Sequence, residues 1–451
     1  MLLLLASLSG AAFAQDIPFE RYDLPNGLQV ILHEDHSLPQ VVVDIWYQVG
    51  SKDEAPGRSG FAHMFEHLMF MGTDRLPGSG FDQVMEAYGG ANNAWTMEDA
   101  TNYYEIGPPN LLSTFLWMEA DRMEALGKAM TQEKVDLQRE VVRNERRQSY
   151  EDEPYGVAWL EVPTLLYPAG HPYAHTVIGS HEDLQAASLQ DVKDFFASWY
   201  VPNNASLVVA GDFDPATVKP LIEKYFGHIP KRDLPARPNP AVVSAPQKPG
   251  VEVADQVQFP QVNLFWHTPA SYAEGDAELQ LLASLLGEGE SSRLYEALVV
   301  GGLAQDLTVM QMPTQLGSAF VVSATAMDKI APEQLEKAIL AQIAAVATKA
   351  PSAPEMTRLK NQFEYGFLSG LESLLQRATQ LNEYDAYTGS PDYLAKDLAR
   401  FRGATAEGLQ KAAATWLKPE LAAKIVVRPE AKPVPPTTPP ESSVPVTKEG
   451  K

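Results

Sequence analysis

The residues best placed to do chemistry lie in the run His63-Met64-Phe65-Glu66-His67. In a helix, His63 and His67 fall one turn apart on the same face, so their imidazoles can bind a single metal ion. Glu66 precedes the second histidine and can lean toward the same ion, where it can exchange a proton with a bound water. The spacing therefore predicts a metal centre that activates water.

The alternative interpretation is an amphipathic core helix whose histidines face water. Apolar residues surround the motif, which predicts a buried helix; they are Phe61, Met64, Phe65, Leu68, Met69 and Phe70. Burial of two imidazoles and a carboxylate without partners is costly, and a bound metal removes that cost. The order His-x-x-Glu-His is the inverse of the zinc-protease order His-Glu-x-x-His. We therefore expect zinc-dependent peptide hydrolysis.

Composition narrows the choice of metal ligands and partners. The chain has 451 residues, 45% of them hydrophobic and 21% charged, as in ordinary globular proteins, and this length allows two or more domains. It contains no cysteine, so a zinc site must use histidine and carboxylate, which suits a catalytic site. The net charge of −23 argues against nucleic acid as a partner.

Both ends of the chain differ in composition from the rest. Residues 1–14 combine an apolar run with Ala12-Phe13-Ala14, which matches an Ala-x-Ala cleavage signal. We expect a signal peptide and an exported mature chain that begins near Gln15, in a bacterial periplasm. No other stretch predicts a membrane span. Residues 429–451 are rich in Pro, Ser and Thr, which predicts a disordered or extended tail.

The remaining chain predicts two related domains, 15–231 and 251–428, joined by a proline-rich linker at 232–250. Leu38-Pro39-Gln40-Val41 in the first half recurs as Phe259-Pro260-Gln261-Val262 in the second. In each half, β-branched runs come first and helical stretches follow. This order predicts an α+β fold of two homologous sandwiches, each a mostly antiparallel sheet with helices on one face. Because the second half lacks the motif, we expect one zinc per chain.

A catalytic zinc usually has three protein ligands, and the best candidates for the third are Glu140 and Glu145. Five residues correspond to roughly 140° around a helix, so both cannot face the metal. A surface salt bridge with a neighbouring arginine is the alternative role for Glu145. These arginines are Arg143, Arg146 and Arg147.

Further motifs extend the pattern over the mature chain as far as the tail. They are Asn26-Gly27-Leu28, Gly50-Ser51-x-x-Glu54, Gly89-Gly90-x-x-Asn93-Ala94-x-Thr96, His171-Pro172-Tyr173 and Ser292-Arg293-Leu294-Tyr295. With His-x-x-Glu-His and Glu145, this pattern resembles the pitrilysin-type inverzincin metallopeptidases, which include insulin-degrading enzyme and the mitochondrial processing peptidases. The resemblance implies a clamshell of such domains, zinc bound by His63, His67 and Glu145, and Glu66 as general base.

The same resemblance implies roles for residues around the motif. Asn93, Ala94, Trp95 and Thr96 would form an edge strand that pairs with the substrate backbone; the alternative is an ordinary strand with Trp95 in the core. His171 and His175 would shape a loop near the site, or else be solvated loop residues. Many relatives carry a glutamate where this chain has Gln138, whose amide could hydrogen-bond a ligand histidine.

One expected pair of residues is missing. Full-length relatives supply an arginine and a tyrosine from their non-metal half, and the matching positions here are Val299 and Gln305. We therefore expect a heterodimer in which a homologous partner supplies both and two chains enclose a chamber. The alternatives are a non-catalytic assembly subunit, like the core proteins of respiratory complexes, and a peptide-binding protein with structural zinc.

Overall fold

A computed structural model describes residues 16–430 of the chain. The expected signal peptide and all but the first two residues of the expected tail lie outside this range. The described strands form two sheets. Those of the first sheet are β1 (Glu20–Asp23), β2 (Gln29–Glu34), β3 (Val41–Tyr47), β4 (Ala91–Thr96), β5 (Thr101–Gly107) and β6 (Ala205–Gly211). Those of the second are β7 (Gly250–Asp255), β8 (Gln261–Thr268), β9 (Ala304–Met312), β10 (Ser318–Ala326) and β11 (Ala423–Pro429).

Helices make up most of the remaining structure. In the first half they are α1 (Phe61–Leu68), α2 (Gly80–Tyr88), α3 (Leu112–Ala129), α4 (Gln132–Arg146), α5 (Val157–Leu166), α6 (His181–Ala186), α7 (Leu189–Trp199) and α8 (Pro215–Phe226). In the second they are α9 (Asp276–Gly287), α10 (Pro332–Thr348), α11 (Ala353–Gly370), α12 (Leu374–Thr388), α13 (Leu394–Gly403) and α14 (Ala406–Trp416). A π-helical turn, Arg147–Glu151, continues α4.

The two sheets share one strand order. The first is β1-β2-β6-β3-β5-β4 and the second is β7-β11-β8-β10-β9, so they match strand for strand once β1 is set aside. In each sheet one pair is parallel, β2 with β6 and β7 with β11, and the other pairs are antiparallel. The predicted α+β class is confirmed.

The structure adds a helix exchange between the halves. On one face, the first sheet packs against α3 of its own half; on the other it packs against α12 of the second half. Ile31, Val42 and Val208 of the sheet are buried with Leu374, Leu381 and Tyr384 of α12. In return, α5 of the first half buries Leu165 and Leu166 against β11 and β7 of the second sheet. Every residue of β3 is therefore buried, since both of its faces are covered.

A polar contact accompanies this exchange. The carboxylate of Asp44, on β3, accepts hydrogen bonds from Asn382 Nδ2 at 2.5 Å and Thr379 Oγ1 at 2.9 Å, both on α12. Asn102 Nδ2 donates to the same carboxylate at 2.8 Å. Complete burial nevertheless raises the pKa of Asp44 to about 6. This group fixes the position of α12 along the first sheet, because a buried carboxylate must keep its donors.

Candidate metal centre

The helix that carries His63 and His67 begins at a tightly packed glycine. Gly60 precedes α1 with φ of +86°, and a Cβ there would lie 2.8 Å from the carbonyl oxygen of Ile178. The buried Glu54 carboxylate then caps the helix, accepting the N–H groups of Gly60 at 3.0 Å and Ala62 at 2.7 Å. These two amides have no partner within the helix, so the Glu54 carboxylate supplies one. Helix capping is thus the physical role of Glu54 in its sequence motif.

One face of α1 is embedded in the first domain's core. Its buried residues are Phe61, Ala62, Met64, Phe65 and Leu68. The other face carries His63, Glu66 and His67, which are only partly exposed. The histidine side chains retain 13% and 25% of their exposure, so the helix holds both imidazoles at the edge of the core.

Glu145 completes a cluster of three donors. His63 Nε2 lies 3.6 Å from Glu145 Oε1, and His67 Nε2 lies 3.3 Å from Glu145 Oε2. One ligand atom from each of these residues lies within 4.8 Å of the others. Tetrahedral zinc with bonds of about 2.0–2.1 Å holds its ligands about 3.3–3.4 Å apart, and the two nitrogen–oxygen distances here are close to that spacing.

Burial controls the charge of these groups. It lowers the pKa of His63 to about 4, partly opposed by the attraction of Glu145. A hydrogen bond with His67 holds the pKa of Glu145 below its usual value. Burial raises the pKa of Glu66. A neutral imidazole beside an ionised carboxylate is the protonation state that metal binding requires.

The two candidates for the third ligand, Glu140 and Glu145, differ in exposure and in partners. Glu140 is exposed and pairs with Arg143 at 2.7 Å, away from the histidines. The arginines near Glu145 bind elsewhere: Arg146 contacts Glu151, and Arg147 donates to Asn144. Glu145 is therefore not held by these arginines. Because α4 packs directly against α1, its carboxylate can reach the histidines.

The amide of Gln138 donates to the thioether sulfur of Met71. Nδ1 of His63 is buried and has no hydrogen-bond partner among residues 16–430. A hydrogen bond from Gln138 to a ligand histidine stays a prediction, since the amide contacts Met71 in this structure.

Asn93, Ala94, Trp95 and Thr96 lie in β4, which is the last strand of the first sheet and pairs only with β5 among the described strands. Thr96 Oγ1 donates to Glu66 Oε2 at 2.6 Å, so this edge strand runs directly past the metal centre. Trp95 is half-buried and meets Trp46 edge-to-face, with ring centroids 4.8 Å apart. Nothing in the spacing of the sequence foretold the Thr96–Glu66 hydrogen bond.

The loop after α5 supports the same region. His171 is buried and stacks on Tyr167, and His175 Nδ1 lies 3.5 Å from Glu54, so neither is a freely solvated loop residue. Tyr173 donates to Asp99 at 2.6 Å. Asp99, three residues after β4, also accepts the backbone N–H of Gln315 from the second half at 2.8 Å. The end of the edge strand is thus tied to both halves.

Val299 and Gln305 lie in the second half and take part in its own packing. Val299 is partly buried against the second core. Gln305 donates through its side chain to the carbonyl of Ala326 at 2.7 Å. Among residues 16–430, no helix is long and apolar enough to cross a membrane.

Comparison with known proteins identifies the family. Residues 29–165 match the model of the insulinase family, peptidase family M16, and residues 186–363 match the model of the M16 inactive domain. A Helicobacter pylori protein named zinc protease PqqE is 33% identical over 379 residues, which cover 82% of this chain and 84% of the relative.

Solved structures agree with this assignment. The crystal structure of a Helicobacter pylori protease is 30% identical, has a TM-score of 0.85, and is matched over 91% of this chain and 99% of that one. The first half of the periplasmic protease PqqL from Escherichia coli shares the fold, with a TM-score of 0.70, 21% identity and 91% coverage of each chain. The chain therefore belongs to the insulinase family of peptidases, family M16.

Proposed function

We propose that this chain is a zinc-dependent endopeptidase that hydrolyses peptides or small unfolded polypeptides. The observation that carries the proposal is the convergence of His63, His67 and Glu145 within 4.8 Å, with Glu66 on the same helix face. Relatives named zinc proteases support the choice of ion. The periplasmic location of PqqL supports export of this chain as well.

In this proposal the three ligands hold one zinc ion per chain. When bound, zinc polarises the scissile carbonyl and lowers the pKa of a bound water. Glu66 is the general base: its carboxylate accepts a proton from the attacking water and passes it to the leaving amine. Thr96 orients that carboxylate through its 2.6 Å hydrogen bond. Burial raises the pKa of Glu66, and a carboxylate with a raised pKa is a stronger base.

The peptide is held by strand addition to β4. An edge strand offers main-chain N–H and C=O groups that pair with any extended peptide, so affinity depends little on side chains. Met97 N–H donates to Ala100, so alternation along the ladder makes Ala94 and Tyr103 a non-hydrogen-bonded pair, and the Ala94 N–H faces the open edge. There it donates to its neighbour Asn93 Oδ1 at 2.9 Å. An incoming peptide can replace that local contact.

The second subunit of the proposed enzyme is a homologous chain that supplies arginine and tyrosine opposite the zinc. Val299 offers no donor, and the Gln305 amide is engaged with the carbonyl of Ala326. Donors that stabilise a developing oxyanion contribute about 10²–10³ in rate. Two such chains would enclose the chamber in which cleavage takes place.

The test of zinc peptidase activity compares the native protein with Glu66→Gln. We expect about one zinc per chain in both proteins, and cleavage of unstructured peptides that a chelator abolishes. Loss of the general base lowers kcat/KM by about 10²–10⁴ without loss of zinc. Metal analysis and mass spectrometry of peptide digests measure both quantities. Equal cleavage by the two proteins would contradict the assignment, and global unfolding on zinc removal would indicate a structural ion.

The heterodimer is tested by copurification of the native protein from its source. We expect a homologous partner of similar size that lacks His-x-x-Glu-His and raises kcat/KM by about 10²–10³ when added to the purified chain. A partner whose corresponding arginine is replaced by alanine is the matched control and should bind without stimulating cleavage. Full activity of the lone chain, unchanged by any partner, would refute this part of the proposal.

A further inference from the structure

A cavity lies on the face of the first sheet opposite the metal centre. Successive side chains of a strand point to opposite faces. Thr96 points to α1, where it meets Glu66, so the preceding residue Trp95 points to the face covered by α12. This geometry matters because a peptide paired with β4, as in the proposed function, also alternates its side chains between the two faces.

Trp95 ends a row of side chains that crosses the sheet. Trp46 on β3 and Trp95 on β4 both pair with Asn102 of β5, so all three occupy one row on the α12 face. The two indole rings meet edge-to-face at 4.8 Å. Since β4 is the edge, the next place in this row belongs to an added strand, about 4.8 Å farther out.

The cavity beside this row has a volume of about 460 Å³ and is open to solvent. Seven of its 17 lining residues are aromatic. The aromatic lining residues are Trp46, Trp95, Tyr272, Phe363, Phe367, Tyr387 and Phe401. They come from the first sheet, from helices α11, α12 and α13, and from the loop after β8.

Each charged side chain in the wall has a partner within the protein, although Asp276 Oδ1 has none among the described residues. Arg400 donates to Asp276 at 2.6 Å and to Asp397 at 2.7 Å. The Tyr272 hydroxyl donates to Glu383 at 2.7 Å. Arg400 also lies over the rings of Tyr272 and Phe401. Because the charges are engaged internally, the wall favours an uncharged, apolar ligand group over a charged one.

We propose that this cavity is a specificity subsite for a large apolar side chain, above all an aromatic one, of the peptide residue that pairs opposite Trp95. The inference rests on strand addition to β4. Cross-strand aromatic pairs are favourable beyond the area that they bury. The two peptide residues next to the one opposite Trp95 point toward α1 and the metal centre. The cavity therefore selects the side chain at one peptide position and not at the two adjacent positions.

Binding to the Glu66→Gln chain tests the subsite without cleavage. Fluorescein-labelled peptides of one length carry Phe, Trp, Leu, Ala, Lys or Asp at a single scanned position, and anisotropy gives Kd. We expect Phe or Trp at one position to bind about 10- to 100-fold tighter than Ala, as full burial of such a side chain implies. A flat profile, or a preference for Lys, would overturn the proposal, the latter pointing to Glu383 as the recognition group.

Filling the cavity supplies the matched variants. Ser271 lines the cavity and its hydroxyl makes no hydrogen bond within residues 16–430, whereas Ala273 is exposed and lies outside the wall. We expect Ser271→Trp to bring the Phe-to-Ala affinity ratio close to one, and Ala273→Trp to leave that ratio unchanged. Retention of the ratio in Ser271→Trp would exclude this cavity as the subsite.

The proposed function and the subsite fail in different ways. Absence of zinc-dependent cleavage refutes the peptidase, whatever the binding profile. Cleavage with no side-chain selection at any position refutes the subsite and leaves the peptidase standing. If no peptide binds the Glu66→Gln chain, strand addition to β4 is wrong, and the subsite falls with it.

Discussion

Two glutamates of α4 show how orientation decides chemistry at the scale of one residue. Glu145 faces α1 and reaches both histidines, at 3.3 and 3.6 Å. Glu140, five residues earlier, is exposed and held by Arg143 at 2.7 Å. The two carboxylates are chemically alike, so their difference in this fold comes entirely from the face of the helix on which each lies.

This difference gives a matched pair of variants. We expect Glu145→Gln to weaken zinc binding by about 100-fold or more, because loss of a ligand costs at least as much as loss of its outer-shell support. Glu140→Gln should bind zinc as the native protein does. Competition with a zinc-specific chelating dye measures both affinities. Equal affinities in the two variants would remove Glu145 from the ligand set.

For single residues, the sequence predicted the relations between site residues that lie close together in the chain, and not those between residues far apart. Helical spacing alone relates His63, Glu66 and His67, because they lie within one turn. The third ligand could not be chosen by spacing, since Glu140 and Glu145 occupy the same helix and only the packing of α4 on α1 separates them. The contact of Gln138 with Met71 likewise depends on tertiary structure that no local pattern encodes.

At the scale of elements, β4 is an unusual strand. Its residues Asn92 and Asn93 are poor strand formers, and periodicity gives little sign of a strand there. The edge position explains why the sheet accepts these polar residues, because an edge strand has one free side and need not be apolar. The family resemblance, rather than any hydrophobic pattern, predicted the role of residues 93–96.

The open edge can be blocked by a single substitution. Proline in place of Ala94 removes an N–H that faces outward and leaves the ladder with β5 intact, which edge strands tolerate. We expect Ala94→Pro to weaken peptide binding by about tenfold, the value of one main-chain hydrogen bond, and to leave the unfolding midpoint and zinc content nearly unchanged. Anisotropy with the labelled peptides and thermal unfolding provide the measurements.

Ala94→Ser is the companion variant, since it keeps the N–H and should bind peptides like the native chain. If Ala94→Pro also binds them normally, the substrate does not pair with this edge. If it unfolds, its N–H serves the sheet rather than the substrate, and the direction inferred for that group is wrong.

For the whole molecule, the decisive feature is the exchange of α5 and α12 between the sheets. Repeated motifs such as Pro39-Gln40 and Pro260-Gln261 predicted the duplication, and the shared strand order agrees with it. They could not predict the exchange, because an apolar helix face does not specify which of two similar sheets it will cover. The sequence predicts an apolar face on each of the two helices, but it does not predict which sheet that face covers.

The exchange predicts that neither half is stable alone. A chain of residues 16–231 would expose the sheet surface that α12 covers, and each large side chain buried there contributes about 1.5–3 kcal/mol. The burial free energy of three such side chains is a large share of a typical free energy of unfolding of about 5–15 kcal/mol. The three are Leu374, Leu381 and Tyr384. We expect this half to aggregate or remain partly folded, and coexpression with residues 250–430 to restore a soluble complex that binds zinc.

Circular dichroism and denaturant unfolding of the separate and coexpressed halves provide the measurement. Residues 16–231 joined by a flexible linker to a copy of α12 are the control and should recover cooperative unfolding. A cooperative transition in the half without α12 would show that the exchanged helix is dispensable.

The exchanged helices also bear on how a peptide would reach the proposed zinc site. Two domains joined only by a linker can swing apart, but here any swing must pull α12 and α5 from the sheets they cover and remove two of the three donors to Asp44. We therefore expect the two domains of one chain to move together as one rigid body. In the proposed heterodimer, peptides would then enter and leave when one whole subunit moves relative to the other. The interface between the subunits, rather than a hinge inside either one, would control that motion.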